Sequence, residues 1–444
     1  MIHTIKEGLD LPITGAPEQA ISQGQNVTQV AVVGPDYVGM KPTMAVKEGD
    51  RVKKGQVIFT DKKTEGVVYT APAAGVVKAV NRGEKRVFLS VVIDVDGNES
   101  ETFESFADVS AVTREAAQKN LVASGLWTAL RTRPYSKVPA VNSVPAAIFV
   151  TAMDTNPLAA NPEVVIAEQE QAFKDGLIVL KTLTDGELFV AKAPNAKIPT
   201  AGIEKTEEFA GPHPAGLAGT HIHTLLPASE TRTVWSVGYQ DVIAIGQLFK
   251  TGEINSDRVI SIAGPQASKP RLVRTVVGAN LEQLTQGEIK SGAEVRTISG
   301  SVFGGRTAAD GVEFLGRYHN QVSLLEEYRE RPFLHYLRAG FNRFSVKNIY
   351  ISKLMNKKFD FTTSTNGSER AMVPIGAYEK VMPLDILPTQ LLRALIVEDM
   401  ESAIALGALE LDEDDLALCT FVCSGKYEYG PILRQNLTRI EKES

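Results

Sequence analysis

The sequence has 444 residues, of which 43% are hydrophobic and 23% are charged, and its formal net charge is −6. This composition excludes a disordered chain, and the acidic balance argues against nucleic-acid binding, which needs a basic surface. Two cysteines are too few for a disulfide framework and favour a reducing compartment. No apolar run reaches the roughly 18 residues of a membrane span, so we expect no transmembrane helix.

Residues 1–100 are predicted to form an N-terminal strand followed by a barrel of short strands. A strand, a glycine turn and a second strand occur twice, with turns at 49–50 and 54–55. The pattern resembles the lipoyl/biotinyl barrel, with Lys62 near the position of the lysine that such barrels acylate. One alternative is a swinging-arm carrier acylated at Lys62. The other is an unmodified barrel, which the neighbouring Lys63 and the longer hairpin favour.

Residues 101–255 alternate between helix and strand patterns, which predicts a Rossmann-like α/β domain. A helix is expected over 114–123 with Thr113 as its N-cap. A buried strand is expected over 146–152 and one long helix over 163–180. Since no G-x-G-x-x-G follows a strand, the sequence predicts no dinucleotide site.

Residues 256–327 are predicted to form a β-grasp module of the SLBB-like type, with three strands and a short helix over 280–284. Residues 384–444 are predicted to form a C-terminal helical domain. The acidic run that begins at Asp412 fits a helix start, because the helix dipole favours negative charge there.

Residues 328–383 form a separate segment, and its first part is strongly basic. From 328 to 359, eight lysines and arginines face one acid, and seven aromatic residues lie between them. This composition suits docking on an anionic membrane surface or an acidic partner. The alternatives are an ordinary helix whose long cationic side chains cover an apolar face, and, more weakly, nucleic acid. The docking candidates are Arg338, Arg343, Lys347, Lys353, Lys357 and Lys358.

The segment 125–137 lies between the first helix and the first strand of the α/β region. Its position resembles that of the glycine-rich flavin loop in the NADH-oxidising subunit of respiratory complex I. Trp127, Leu130 and Arg131 stand where such a loop has glycines, and their bulk prevents close approach of the backbone to a flavin. We therefore expect the fold to be kept and the flavin to be lost.

Seven segments spread over the whole chain resemble the NqrA family, which comprises the A subunits of Na⁺-translocating NADH:quinone oxidoreductases. They are 6–12, 37–43, 124–129, 150–159, 211–221, 365–367 and 409–412. The resemblance implies a peripheral subunit on the cytoplasmic face of the bacterial inner membrane, within a six-subunit complex that passes electrons from NADH to ubiquinone and exports Na⁺. It implies that other subunits carry the flavins and iron–sulfur centres, that this chain holds no cofactor and no catalytic residue, and that ubiquinone is a possible ligand. A purely structural assembly subunit is the remaining alternative.

The segment 211–223 holds three of the six histidines among glycines and prolines. In a strand, two residues two positions apart point to the same face, which would pair the last two histidines. The candidate contacts for a quinone or partner are His213, Gly216, His221 and His223. A metal site is not predicted, since further ligands are missing nearby, and a plain loop at a domain edge is the alternative.

Cys419 and Cys423 are the only cysteines. A tetrahedral zinc or an iron–sulfur cluster takes four protein ligands, so two thiols exclude a complete cluster within this chain. We expect two buried structural thiols that remain from a lost redox site.

Overall fold

The computed structural model describes residues 1–330 and 337–443. Its first two strands, β1 (Ile2–Thr4) and β2 (Glu18–Gln23), do not join the barrel that follows them. Strand β1 pairs with the sheet of the α/β domain, and β2 pairs with the sheet of the β-grasp module. The first 23 residues therefore connect two domains that the chain builds later.

The barrel of short strands is confirmed, as two facing sheets. Its strands are β3 (Gln29–Val33), β4 (Pro42–Met44), β5 (Arg51–Val52), β6 (Val57–Asp61), β7 (Val68–Thr70), β8 (Gly75–Arg82) and β9 (Phe88–Val95). One sheet has the order β3-β9-β8-β5 and the other β4-β6-β7. Alternate side chains such as Val91 and Ile93 are fully buried between them, which is the burial that period-2 patterning predicts.

The α/β domain is confirmed as a largely parallel six-stranded sheet in the order β1-β13-β12-β11-β14-β10. Its elements are α1 (Arg114–Ser124), β10 (Arg131–Arg133), β11 (Ala147–Thr151), α2 (Pro162–Ala167), α3 (Glu170–Thr182), β12 (Glu187–Lys192), β13 (Lys205–Ala210), α4 (Ala218–Leu225), β14 (Val234–Gly238) and α5 (Tyr239–Thr251). The Thr113 hydroxyl caps α1 by accepting a hydrogen bond from the Ala116 N–H, as predicted.

The single helix predicted over 163–180 is wrong, because the chain forms α2 and α3 instead. Gln169 has φ −141° and ψ 42°, which lie outside the helical region and interrupt the helical hydrogen bonds. Apolar residues continue at helical spacing across the break, so periodicity alone does not reveal it.

The β-grasp module forms a six-stranded sheet in the order β18-β17-β19-β15-β16-β2. Its own elements are β15 (Asp257–Ala263), β16 (Arg271–Val276), α6 (Leu281–Leu284), β17 (Val295–Ser299), β18 (Arg306–Thr307) and β19 (Gln321–Glu326). The three predicted strands and the short helix are all present.

The helix alternative for the basic segment is wrong for the part that the structure describes. Between 338 and 359 the only helical element is a short 3₁₀ turn, Ile351–Leu354. Gly340 has a positive φ of 74°, and the Ile351 N–H donates to the Ala339 carbonyl at 3.1 Å, so residues 339–351 close into a compact loop. Arg331, Phe333 and Tyr336 of the predicted segment lie outside the described residues.

The chain ends in helices α7 (Pro388–Ile396), α8 (Met400–Ala405), α9 (Ala417–Val422) and α10 (Tyr429–Glu443). They enclose a separate core in which Leu391, Leu433 and Leu437 are fully buried. No helix in the described part of the chain is long and apolar enough to cross a membrane.

A buried charge cluster joins these helices to the α/β domain. Arg133 Nη2 lies 3.0 Å from Asp412 Oδ2 and 3.7 Å from Asp415 Oδ2, and Arg434 Nη2 lies 3.2 Å from Asp412 Oδ1. Burial opposes ionisation of Asp412, but the charge of Arg133 and a hydrogen bond with the Glu413 side chain hold the pKa of this carboxyl well below its usual range. Asp412 and Asp415 also form a capping box, so the predicted helix-start role is confirmed.

We predict that Arg133→Met lowers the free energy of unfolding by about 3–5 kcal/mol, because it removes the buried guanidinium that pairs with both carboxylates and leaves Asp415 without an ion pair among the described residues. Arg51→Met is the matched control. Arg51 pairs with Asp96 on the surface, where water screens the pair, so its loss should change the free energy of unfolding very little. Urea unfolding of the full chain measures both. Equal losses for the two variants would contradict the role of the buried cluster.

Candidate functional site

The predicted strand at the histidine motif is wrong, because His221 and His223 lie on helix α4. Two residues that are two positions apart on a helix point about 200° apart, so the two rings face opposite sides. The two leucines and the isoleucine from 217 to 225 supply an apolar helical face, whereas the preceding glycines and prolines suggest a loop. His221 and His223 therefore do not share a face, contrary to the prediction.

His213 and His221 are enclosed in the α/β domain. His221 Nε2 donates to the Ala215 carbonyl at 3.0 Å, and its ring packs on Phe209. His213 Nδ1 lies 3.2 Å from the Thr155 hydroxyl. Burial lowers the pKa of each imidazole to about 4, so both rings are neutral near pH 7.

His223 connects α4 to the C-terminal helices. Its Nε2 accepts a hydrogen bond from the Asp385 N–H at 2.9 Å, so its Nδ1 carries the proton and donates to the Glu410 carboxylate at 2.7 Å. Both ring nitrogens are thus used within the chain. His223 has the geometry of a domain contact rather than of an open ligand site.

Gly216 and Gly219 line a small cleft of about 150 Å³ at the carboxyl ends of β11 and β14. Strand β11 has β12 on one side and β14 on the other, so the strand order reverses beside β11. Open α/β sheets form a crevice at the carboxyl ends of the strands where the order reverses. A Cβ at Gly216 would lie 2.6 Å from the Thr155 nitrogen, and one at Gly219 would lie 2.2 Å from the Asp415 carboxylate. Both glycines therefore lie close to neighbours that belong to the chain itself.

The loop that resembles a flavin loop is packed by its own side chains. Trp127 is 1% exposed, meets Trp235 edge to face, and donates its indole N–H to the Pro139 carbonyl at 2.8 Å. The Arg131 guanidinium lies 4.7 Å from the centre of the Tyr318 ring. A bound flavin needs open backbone N–H groups near its phosphate. In this loop the N–H groups of Gly125, Thr128 and Leu130 already donate to carbonyls of the same stretch of chain, so the loop does not fit that requirement.

A much larger cavity, of about 1340 Å³, lies between the β-grasp module, the basic segment and α9. Five phenylalanine rings, together with aliphatic side chains, form its apolar lining. Phe344 contacts Phe361 at 5.5 Å and Phe421 at 6.2 Å between ring centres, and Phe303 contacts Phe421 at 5.6 Å. The cluster also includes Phe359, 5.9 Å from Phe344. His213 stacks behind Phe303 at 5.3 Å, so it is the predicted histidine nearest to this cavity.

Polar groups of the cavity wall can serve as hydrogen-bond donors. Arg343, Arg370 and Lys426 line it, and none of them pairs with a carboxylate among the described residues. This site is not visible in the sequence, because its rings come from three separate segments between residues 303 and 421. Of these rings, only Phe344 and Phe359 lie in the basic, aromatic stretch 328–359 that the sequence predicts as a docking segment.

The six docking candidates all lie in the described part of the basic segment. Arg343 and Lys347 line the cavity, whereas Arg338, Lys353 and Lys358 are exposed. Lys357 donates to the Asn342 side chain at 2.6 Å. We define residues 337–358 as the docking patch.

Lys62 lies exposed on the turn between β6 and β7, and its backbone N–H donates to the Lys41 carbonyl. The side chain of the candidate carrier lysine is therefore accessible to solvent. No other observation favours acylation.

Both cysteines are buried and free, as expected. Burial raises the pKa of the Cys419 thiol to about 12. Burial also opposes ionisation of Cys423, but hydrogen bonds from the Tyr378 and Tyr429 hydroxyls and from backbone N–H groups lower its pKa below the ordinary value. Within residues 1–330 and 337–443, no group of three or more His, Cys, Asp or Glu side chains is placed to hold a metal ion.

Three family models match the chain. They are described as the NqrA N-terminal barrel-sandwich hybrid domain (residues 3–96), the NqrA second alpha/beta domain (112–254) and the NQRA C-terminal domain (259–310), the last bearing the label SLBB. Together they agree with the barrel, the α/β domain and the β-grasp module of the structure.

Similar proteins match end to end. The A subunit of the Na(+)-translocating NADH-quinone reductase of Saccharophagus degradans is 64% identical, and 99% of each chain is covered. The corresponding A subunit of Pasteurella multocida is 59% identical over the same share. A solved structure of an NAD+-reducing [NiFe]-hydrogenase covers 49% of the chain at 11% identity, and its TM-score of 0.35 is too low to support an argument.

We predict that iodoacetamide alkylates Cys423 before Cys419 in the folded chain, because the thiolate is the reacting species and only Cys423 has a lowered pKa. Peptide mass spectrometry after short reaction times measures the order. Tyr378→Phe should slow the reaction at Cys423, since it removes one hydroxyl donor. In urea the two thiols should react alike. Faster reaction at Cys419 in the folded chain would contradict the prediction.

Proposed function

The chain belongs to the NqrA family, the A subunits of Na⁺-translocating NADH-quinone reductases, and we propose that it acts on the quinone side of such a complex. The complex couples electron transfer from NADH to quinone with Na⁺ export. In this proposal the chain is one of six subunits, peripheral on the cytoplasmic face of the bacterial inner membrane. Other subunits carry the flavins and iron–sulfur centres, and the isolated chain oxidises no NADH.

The aromatic cavity is the observation that carries the proposal. A quinone has a flat ring, two carbonyl oxygens that accept hydrogen bonds, and an apolar tail. The phenylalanine cluster offers stacking surfaces for the ring and an apolar wall for the tail. Arg343, Arg370 and Lys426 offer N–H donors for the carbonyl oxygens. Ligand sites usually combine a mostly apolar cavity with a few such polar groups.

The cavity replaces the histidine motif as the quinone candidate. His221 and His223 make hydrogen bonds inside the chain, and Gly216 faces the smaller cleft. His213 supports the cavity from behind Phe303 and does not need to touch the ligand.

The docking patch supports attachment to the membrane-embedded subunits. It carries six cations and no acid, within a chain of net charge −6. None of the six forms an ion pair with another side chain in the described residues, so their charge is free to attract an acidic surface.

We predict that a photoreactive ubiquinone analogue labels peptides that line the cavity, from 342–350, 359–377 or 420–432. The double variant Phe361→Ala/Phe421→Ala should reduce labelling several-fold, because it removes two stacking rings. Labelled peptides are identified by mass spectrometry of the assembled complex.

The matched control is Phe106→Ala, which removes a ring that stacks on Phe249 in the α/β domain. This variant should be labelled as strongly as the native chain, and excess ubiquinone should compete with the label. If the label lies elsewhere on the chain, the cavity is not the quinone site. If no label is found on this chain in an active complex, a purely structural assembly role replaces quinone binding.

We predict that Lys347→Glu/Lys353→Glu/Lys358→Glu reduces the share of the chain that copurifies with the other subunits. The substitution reverses three charges of the docking patch, which should oppose contact with an acidic surface. The control Lys47→Glu/Lys62→Glu/Lys63→Glu reverses three exposed charges on the barrel and should assemble normally. Equal assembly of the two variants would remove the patch from the interface.

A further inference from the structure

The docking patch exposes large apolar side chains as well as cations. Leu354 is 89% exposed, Leu337 73% and Ile349 71%. Phe341, Ile351 and Met355 are also exposed in the same stretch. Solvent-exposed apolar side chains of this size within 19 residues (337–355) indicate a surface that a binding partner covers in the functional state.

The cations lie between these apolar side chains along the chain. Arg338 follows Leu337, Lys347 lies two residues before Ile349, and Lys353 precedes Leu354. From 337 to 359 the sequence contains no aspartate or glutamate. A surface that is both apolar and cationic fits a partner that is both apolar and anionic.

The backbone of the patch suits shallow insertion. The Ile351 N–H and the Ala339 carbonyl close the loop, the Tyr350 ring packs against Gly340, and the Ser352 hydroxyl donates to the Arg343 carbonyl. The base of the loop, where Ala339 meets Ile351, is therefore held by contacts within the chain. The exposed apolar side chains of the loop and of the residues after it make no such contacts and are available to enter an apolar environment.

We propose that the docking patch binds an anionic lipid surface, inserting Leu354, Ile349 and neighbouring apolar side chains among the acyl chains while the lysines and arginines contact lipid phosphates. This rests on the proposed attachment of the chain to the membrane subunits. An acidic protein surface would satisfy the cations, but it would not by itself bury the aliphatic groups. An anionic bilayer satisfies both, because its phosphates lie directly above its hydrocarbon.

The position of the patch connects this contact with the aromatic cavity. Residues 342–347 form part of the cavity wall and also belong to the patch. Quinones with apolar tails dissolve in the bilayer. A patch on the lipid surface therefore places the cavity wall next to the phase that contains the ligand.

The test is binding of the full chain to vesicles, measured by cosedimentation. The chain should bind vesicles of phosphatidylcholine with phosphatidylglycerol and should not bind phosphatidylcholine alone, and added salt should weaken binding. Lys347→Gln/Lys353→Gln/Lys358→Gln should weaken binding roughly 100-fold, since each cation near an anionic surface contributes about fivefold. Ile349→Ser/Leu354→Ser should weaken it roughly tenfold or more through lost apolar burial.

The control is Lys47→Gln/Lys62→Gln/Lys63→Gln, which removes equal charge from the barrel and should bind like the native chain. Both apolar positions are largely exposed, so the serine variants should unfold at the same urea concentration as the native chain. If the native chain shows no preference for anionic vesicles, or if the barrel variant loses as much binding as the patch variant, the lipid proposal is overturned. If vesicle binding is absent but the glutamate variant of the patch still fails to assemble, the patch docks on an acidic protein surface, and the proposed attachment stands without the lipid.

Discussion

The contact of Asp412 and Asp415 with Arg133 is the constraint on which the rest of the arrangement depends. Arg133 lies on β10 of the α/β sheet, and the two carboxylates cap the 3₁₀ turn Glu413–Leu416 that leads into α9. A buried charge without its partner costs several kcal/mol, so the two domains have one low-energy way to meet. That meeting places Asp415 against Gly219 and Asp414 against Gly304 of the β-grasp module. Three domains thus converge on one acidic turn.

The same contact determines where the cavity can form. Helix α9 follows the acidic turn directly and carries Phe421 to the ring of Phe303. The β-grasp module supplies Phe303, and the segment that crosses between them supplies Phe344 and Phe361. The small cleft at the end of β11 is lined by Asp414 and Asp415, which belong to the acidic turn that leads into α9. The crevice where α/β folds usually bind ligands therefore keeps only about 150 Å³, and the large cavity lies at a different junction.

Much of the architecture was predictable because it follows from local patterns. The repeated pattern of strand, glycine turn and strand predicts the barrel, Thr113 predicts the start of α1, and the acids at 412–415 predict a helix start. The errors arose where local signals conflict with tertiary packing. Glycines and prolines around His213 concealed helix α4, and Gln169 interrupts a helix without any breaker residue.

The candidate sites were harder to predict for a different reason. The aromatic cavity collects rings from residues 303, 344, 361 and 421, and no sequence spacing brings such positions together. The basic segment was visible in composition, since charge and aromatic content are properties of one stretch. Its closed loop depends on Gly340 and on a hydrogen bond between Ala339 and Ile351, which composition does not encode.

The placement of β1 and β2 affects how the chain can be built. Ile2 pairs with Glu208, and Ile21 pairs with Leu272, so each strand waits for a partner that is synthesised more than about 200 residues later. The barrel has all of its strands before residue 96 and can fold while both N-terminal strands are still unpaired. The pairing of β1 therefore requires the chain up to residue 210 and that of β2 requires it up to residue 276, so both N-terminal strands reach their final places well after the barrel can form.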